Sequence, residues 1–269
     1  VRMSKTAWVL LWTALGAGFA VLYFPLLVVL LNSVNADTTF GWPPKSFTLE
    51  WWGRAVTSEG ALHALWTSVL VGLAATAIAL LLGTMAAFAL QRYRFFGRNS
   101  VSLLIVLPIA LPGIVTGIAL NNAFRTILGV DLGVATVIIA HATFCIVVVF
   151  NNVVARLRRL GGNLEEASMD LGANGLTTFR LVTFPMLRSA VAAGGLLAFA
   201  LSFDEIIVTT FTLGSGMETL PIWIYNNLFR PNQAPVVNVV AAVLIVVSTV
   251  PVYLAQRLSG GESASGGRI

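Results

Sequence analysis

Six apolar runs of 19 to 26 residues, separated by polar segments, set the pattern of the chain: 7–31, 65–90, 101–123, 133–155, 188–213 and 236–254. At about 1.5 Å of rise per helical residue, such runs are of the length that crosses a hydrocarbon layer roughly 30 Å thick. Lipid offers backbone amides no water, so a spanning segment must satisfy its own hydrogen bonds, which a helix does. The pattern predicts an all-α integral membrane protein with six transmembrane helices in one domain, residues 1–258. The first run is too long for the core of a signal peptide and reads as an uncleaved helix. Residues 259–269 are rich in Gly and Ser and read as a disordered tail.

The interruptions are uneven in character. Residues 32–64 are polar and aromatic, with Trp42-Pro43-Pro44 and Glu50-Trp51-Trp52. Tryptophans there suit either a headgroup-level belt or a ligand cage. The third run carries Pro108, Pro112, Gly113 and Gly117. Prolines four apart disturb its hydrogen-bond ladder, and a Gly-x-x-x-Gly pair admits a neighbouring backbone, so a bent helix lining a pore or an interface is expected. The loop 156–187 holds the stretch LEEASMDLGANGLTTFRLVTFPMLR, Leu164 to Arg188. It predicts two short helices, the first through Glu166, Ala167 and Leu171 and the second ending at Pro185. A Gly172–Gly175 turn joins them, where glycine permits left-handed backbone or close approach. That is the form of a docking knob.

Composition then narrows the class. The 269 residues are 57% hydrophobic and 10% charged, with a mean hydropathy of +0.88, far from a soluble domain. The net charge of +5 does not point to nucleic acid, because of where it lies. Twelve of the Lys and Arg residues fall before the first run, between the second and third, between the fourth and fifth (Arg188 included), and after the sixth, against four in the alternate loops. This positive-inside bias places both termini and the Glu166 loop in the cytoplasm. A single cysteine, Cys145, rules out an internal disulfide. No G-x-x-x-x-G-K-[ST] loop occurs, so any ATP that drives this chain is bound by another subunit. Metal-ligand spacings such as His-Glu-x-x-His are absent, as is any Ser/His/Asp grouping, so no catalytic and no metal residues are assigned.

Asp204 and Glu205 lie within the fifth run, after Ser202 and Phe203. A charge at the centre of an inserted helix costs about 2.5 to 3.5 kcal/mol, so two adjacent acids need a wet path or a partner. They suit a cationic solute such as a flexible polyamine, or else they bind a neighbouring Arg or Lys or cap the next loop. Glu218, Trp223 and Tyr225 follow, and acids with aromatic faces are what an ammonium group requires. His141, alone in the fourth run, is a proton relay or a packed, hydrogen-bonded ring. The lack of an acidic neighbour at helical spacing favours packing.

The order Glu166-Ala167-Ser168, three residues, Gly172, nine residues, Val182, one residue, Phe184-Pro185 resembles the EAA loop of ABC-importer permeases, with Ser168, Val182 and Phe184 in place of Ala, Ile and Leu. Residues 66–98, 107–120 and 165–230 further resemble the polyamine (spermidine/putrescine) branch, notably Ser202-Phe203-Asp204-Glu205 and Thr219-Leu220-Pro221-Ile222-Trp223-Ile224-Tyr225. The resemblance implies a type I importer permease fold. It makes Glu166, Ala167, Ser168, Asp170, Leu171, Gly172, Ala173 and Pro185 the coupling site for an ATPase, and Phe203, Asp204, Glu205, Trp223 and Tyr225 candidates for the solute path. The implied partners are a second, similar permease, two ATPase copies that hold ATP and Mg, an extracytoplasmic binding protein and membrane lipid, with no cofactor on this chain. Permeases for thiamine, ferric ion, phosphonate or sulfate share the coupling loop. An ion-coupled carrier is the remoter alternative, and no inverted repeat supports it.

Overall fold

The computed structural model describes residues 4–260, and side chains in the last turns of the final helix lie outside that description. The described structure is helical apart from one isolated bridge, Asn35 to Phe47. Of the described residues, one compact unit takes those up to Leu62 together with Trp223–Val247. The other takes His63–Ile222 and those from Ser248 on.

In the first unit, α1 (Lys5–Asn32) starts at Ser4, whose hydroxyl accepts the Ala7 N–H at 3.1 Å. It continues through Pro25 and buries no residue against the rest of the chain, as a lipid-facing helix does. The loop after it folds over α2 (Glu50–Val56). Trp51 is buried there, its indole N–H donating to the Asn35 carbonyl at 2.9 Å, and Arg54 lies 4.8 Å over its ring while pairing with Glu50 at 2.6 Å. Trp51 is therefore packing, whereas Trp42 is exposed as a belt residue is.

The second unit is built on α3 (Glu59–Arg92, from His63), α6 (Val134–Leu160) and α9 (Phe184–Phe203). Their shared core holds Ala79, Ala87, Val149, Val153 and Leu187. Small residues let the backbones meet: a side chain at Gly83 would lie 2.9 Å from the Ile146 carbonyl, and one at Gly194 would lie 3.3 Å from the Val149 Cα.

The third apolar run forms α4 (Arg98–Ala110) and α5 (Gly113–Asn122), the latter extended by a π turn, Ala123–Ile127. The two halves are bent by 106° at Leu111-Pro112. Proline lacks the N–H that would continue the ladder, so the expected bend is a full break. Among the described residues, four helices are long and apolar enough to span, Lys5–Asn32, Glu59–Arg92, Val134–Leu160 and Gly175–Phe203, with a fifth if the bent pair counts as one. The last helix, α12 (Ala234–Gly260), completes the order; the tail expected over 259–269 lies outside the described residues, apart from its first two, which close this helix.

Two expected boundaries move. The fourth span does not end at Ala155: α6 runs on through the arginines of the following loop to Leu160. The fifth run does not extend to 213: α9 ends at Phe203, and a separate short helix, α10 (Ile207–Thr212), follows. Asp204 and Glu205 are therefore at a helix break rather than inside a span.

Candidate functional site: a coupling turn and an acidic elbow

The candidate coupling element begins with α7 (Asn163–Asp170). Its end is closed by a Schellman motif: the Gly172 N–H donates to the Met169 carbonyl at 2.9 Å and the Ala173 N–H to the Ser168 carbonyl at 3.1 Å. Gly172 takes φ +88°, the left-handed conformation the sequence suggested. Gly175 does not; it opens α8 (Gly175–Thr178), where the Asn174 side chain accepts the Thr177 N–H at 2.9 Å. From there a π turn, Phe179–Thr183, leads into α9 without a loop. Pro185 thus does not end the second helix as expected. It stands in the first turn of α9, where its missing N–H falls beside the widened turn and leaves the helix unbroken.

Glu166, Ala167, Asp170, Leu171, Gly172 and Pro185 face outward, and Ser168 and Ala173 are half-buried. The Ser168 hydroxyl lies 3.1 Å from that of Thr178, tying α7 to α8. Leu171 is 90% and Leu176 77% exposed, two large apolar side chains at the tip of the element, and Leu164 and Met169 of α7 are exposed as well. Exposed apolar side chains of this kind mark a surface for contact with another protein or with the membrane.

The tie that orients this element was not anticipated. Glu165, the neighbour of Glu166, accepts from Arg92 Nη2 at 2.8 Å and from the Thr183 hydroxyl at 2.9 Å, and the same Arg92 nitrogen reaches the Gly161 carbonyl at 3.0 Å. The end of α3, the start of α7 and the π turn therefore meet on one half-buried carboxylate. Arg156 adds a second tie, from its Nε to the Met186 carbonyl at 3.0 Å.

The elbow lies at the other end of α9. Glu205 turns its carboxylate to the Val208 N–H at 2.9 Å and so caps α10. Asp204 is exposed. Among the described residues neither acid has an Arg or Lys at ion-pair distance. Phe203 stacks on Phe199, ring centres 5.6 Å apart. The short helix α10 is held on several sides. A side chain at Gly117 of α5 would lie 2.7 Å from the Phe211 ring, Asn121 donates to the Phe211 carbonyl, and Thr136 donates to the Thr212 carbonyl at 2.7 Å. His141 is fully buried, its nitrogens 2.7 Å from the Ser202 hydroxyl and 2.8 Å from that of Thr209. It is the packed, hydrogen-bonded histidine. The Cys145 thiol points at the Ala198 carbonyl, 3.3 Å away.

Trp223 and Tyr225 belong to the first unit, on α11 (Leu220–Asn227). Trp223 is buried with its indole over Gly60, and Tyr225 is exposed.

The described chain is a many-helix membrane protein with a broken apolar span and an exposed apolar turn. Comparison with known proteins makes this specific: residues 79–260 match the family described as "Binding-protein-dependent transport system inner membrane component", and the chain belongs to that family. It is a multi-pass inner-membrane permease of an ABC importer, without nucleotide-binding catalytic activity. It is 34% identical over 241 residues, 90% of each chain, to the "Spermidine/putrescine transport system permease protein PotC" of Escherichia coli (strain K12). It is 33% identical over 238 residues, 85% of this chain and 83% of the other, to the "Putrescine transport system permease protein PotI" of the same strain. Among solved structures, a chain of a bacterial ABC transporter that imports the acidic polysaccharide alginate superposes with a TM-score of 0.72 at 17% identity, covering 96% of this chain and 99% of that one.

Proposed function

We propose that this chain carries a polyamine of the spermidine/putrescine type inward across the membrane. It acts as one of two permease subunits, with two ATPase copies on the cytoplasmic side and a binding protein outside. The observation that carries the reading is the elbow: a membrane helix interrupted at two carboxylates, one used as a cap and the other, Asp204, exposed without a basic partner among the described residues. Such an acid is tolerated where a hydrated cation visits it. The names of the relatives point to the same solute class.

In this reading six helices cross the membrane, the bent α4–α5 pair and α12 being the third and sixth. Both termini and the α7–α8 turn lie inside, where the positive-inside count puts them. ATP and Mg are held by the partner ATPase. Glu166, Ala167, Ser168, Asp170, Leu171, Gly172 and Ala173 sit on its surface, with Pro185 where the element joins α9. Closing of the ATPase pair pushes α7 and α8, α9 moves with them, and the path past Phe203, Asp204 and Glu205 opens outward, Trp223 and Tyr225 being the other candidates for contact with solute; hydrolysis returns it.

Uptake of labelled spermidine by the assembled transporter, with unlabelled competitors, tests the reading. Competition by putrescine or spermidine together with a loss in Asp204→Asn supports it. Competition only by anions or thiamine rejects the polyamine while leaving the permease.

A further inference from the structure

His141 is used by none of the steps above, yet it joins both sides of the elbow. Ser202 is in the last turn of α9, two residues before Asp204, and Thr209 is in α10, four residues after Glu205. The ring lies between them, buried, with a hydroxyl on each nitrogen.

Each ring nitrogen has one hydroxyl partner, Ser202 at 2.7 Å on Nδ1 and Thr209 at 2.8 Å on Nε2, and a neutral imidazole donates through one nitrogen and accepts through the other. The Thr209 hydroxyl also lies 2.8 Å from the Glu205 carbonyl. In either tautomer the ring bridges Ser202 to Thr209 and ties the end of one helix to the start of the next. Asp204 lies within this loop of bonds, although its own side chain takes no part in it.

We propose that His141 is a positioning residue for transport: its bridge from Ser202 to Thr209 fixes the α9–α10 elbow so that the Asp204 carboxylate faces the cation. The proposal rests on the reading of Asp204 as part of the solute path. A glutamine can repeat the pattern, donating to one hydroxyl and accepting from the other, whereas a phenylalanine fills the space and does neither.

The test is spermidine uptake by the complete transporter in proteoliposomes, with assembly of each variant measured by co-purification of its partners. Asp204→Asn is the reference. Expected results are an uptake efficiency about tenfold lower for His141→Phe, as loss of two buried hydrogen bonds implies, and near-normal uptake for His141→Gln. Adding His141→Phe to Asp204→Asn should change little, because both act on one carboxylate. Normal uptake by His141→Phe overturns the proposal, and so does a full multiplication of the two defects in assembled complexes. Either result leaves the Asp204 reading standing. If Asp204→Asn itself transports normally, that reading falls and takes the proposal with it. Should His141→Phe not assemble, Thr209→Val and Ser202→Ala each remove one end of the bridge and are judged by the same double-variant test.

Discussion

Gly172 separates folding from coupling. Its φ of +88° is one that an L side chain adopts only with strain, at a cost of about 1 to 2 kcal/mol. There is no packing term to add, since a Cβ at this position would meet nothing within 4 Å. Gly172→Ala therefore loses about 1 to 2 kcal/mol, Gly172→Asn less because asparagine tolerates left-handed backbone, and Gly172→Trp about as much as alanine. Against a stability of about 5 to 15 kcal/mol, all three variants should insert and fold, with similar melting temperatures in nanodiscs. They should differ when the ATPase is added. The tryptophan ring stands at the tip beside the exposed Leu171 side chain and obstructs the surface that must approach it. Solute-stimulated ATP hydrolysis should be largely kept in the Asn and Ala variants and lost by about tenfold or more in Trp, the equivalent of roughly 1.4 kcal/mol or more of docking energy. The reasoning is refuted if Gly172→Trp couples normally, or if it unfolds the chain while Gly172→Ala does not.

Other substitutions probe the remaining contacts. Glu165→Ala removes the carboxylate shared by Arg92 and Thr183, leaving Arg92 the Gly161 carbonyl, and should destabilise by about 1.5 to 3 kcal/mol, seen as a lower melting temperature and faster proteolysis around α7. Glu165→Gln, which keeps an acceptor without the charge, should lose less; equal losses would remove the charge from the account. Glu205→Gln preserves the oxygen that caps Val208, so its melting temperature should be unchanged, while Glu205→Ala costs about 1 kcal/mol. Gly117→Ala pushes a methyl against Phe211 and should destabilise by about 1 to 3 kcal/mol, and pairing it with Phe211→Leu should recover part of the loss.

The hydrophobic pattern alone located the four long apolar helices among the described residues, and Pro112 of the third run marked where it breaks, whereas Pro108 is accommodated inside α4. The left-handed Gly172 was readable because glycine after a helical run is the ordinary residue for a Schellman end. The end of the fifth span was not readable. Ile206 to Leu213 is as apolar as the residues before it and holds no proline or glycine, so the pattern ran on. What stops α9 is the acid pair and the grip of α5 and α6 on α10, contacts made by residues far away in the chain. Glu165 was passed over for the same reason. Its partner Arg92 is 73 positions earlier, and nothing near Glu165 distinguishes it from Glu166. His141 was recognised as a packed ring, but its partners, 61 and 68 positions on, could not be named without the fold.

From Gly175 to Phe203 the backbone runs 29 residues without a loop, a rod about 44 Å long. Its two ends cannot move independently. In the proposed function, a swing imposed on the Gly175 end by a docked ATPase would reach the acidic elbow as a tilt of the whole helix, since no loop lies between them. The π turn near its base leaves the rod continuous while giving it one wider coil, and with it a fixed twist between the docking surface and the face that carries Ser202. In such a lever the direction of the stroke is set by the twist and its reach by the length. Adding or removing one residue between Thr183 and Ser202 would turn the elbow by about 100° relative to the motor, a mis-timing that no change in binding affinity at either end could correct.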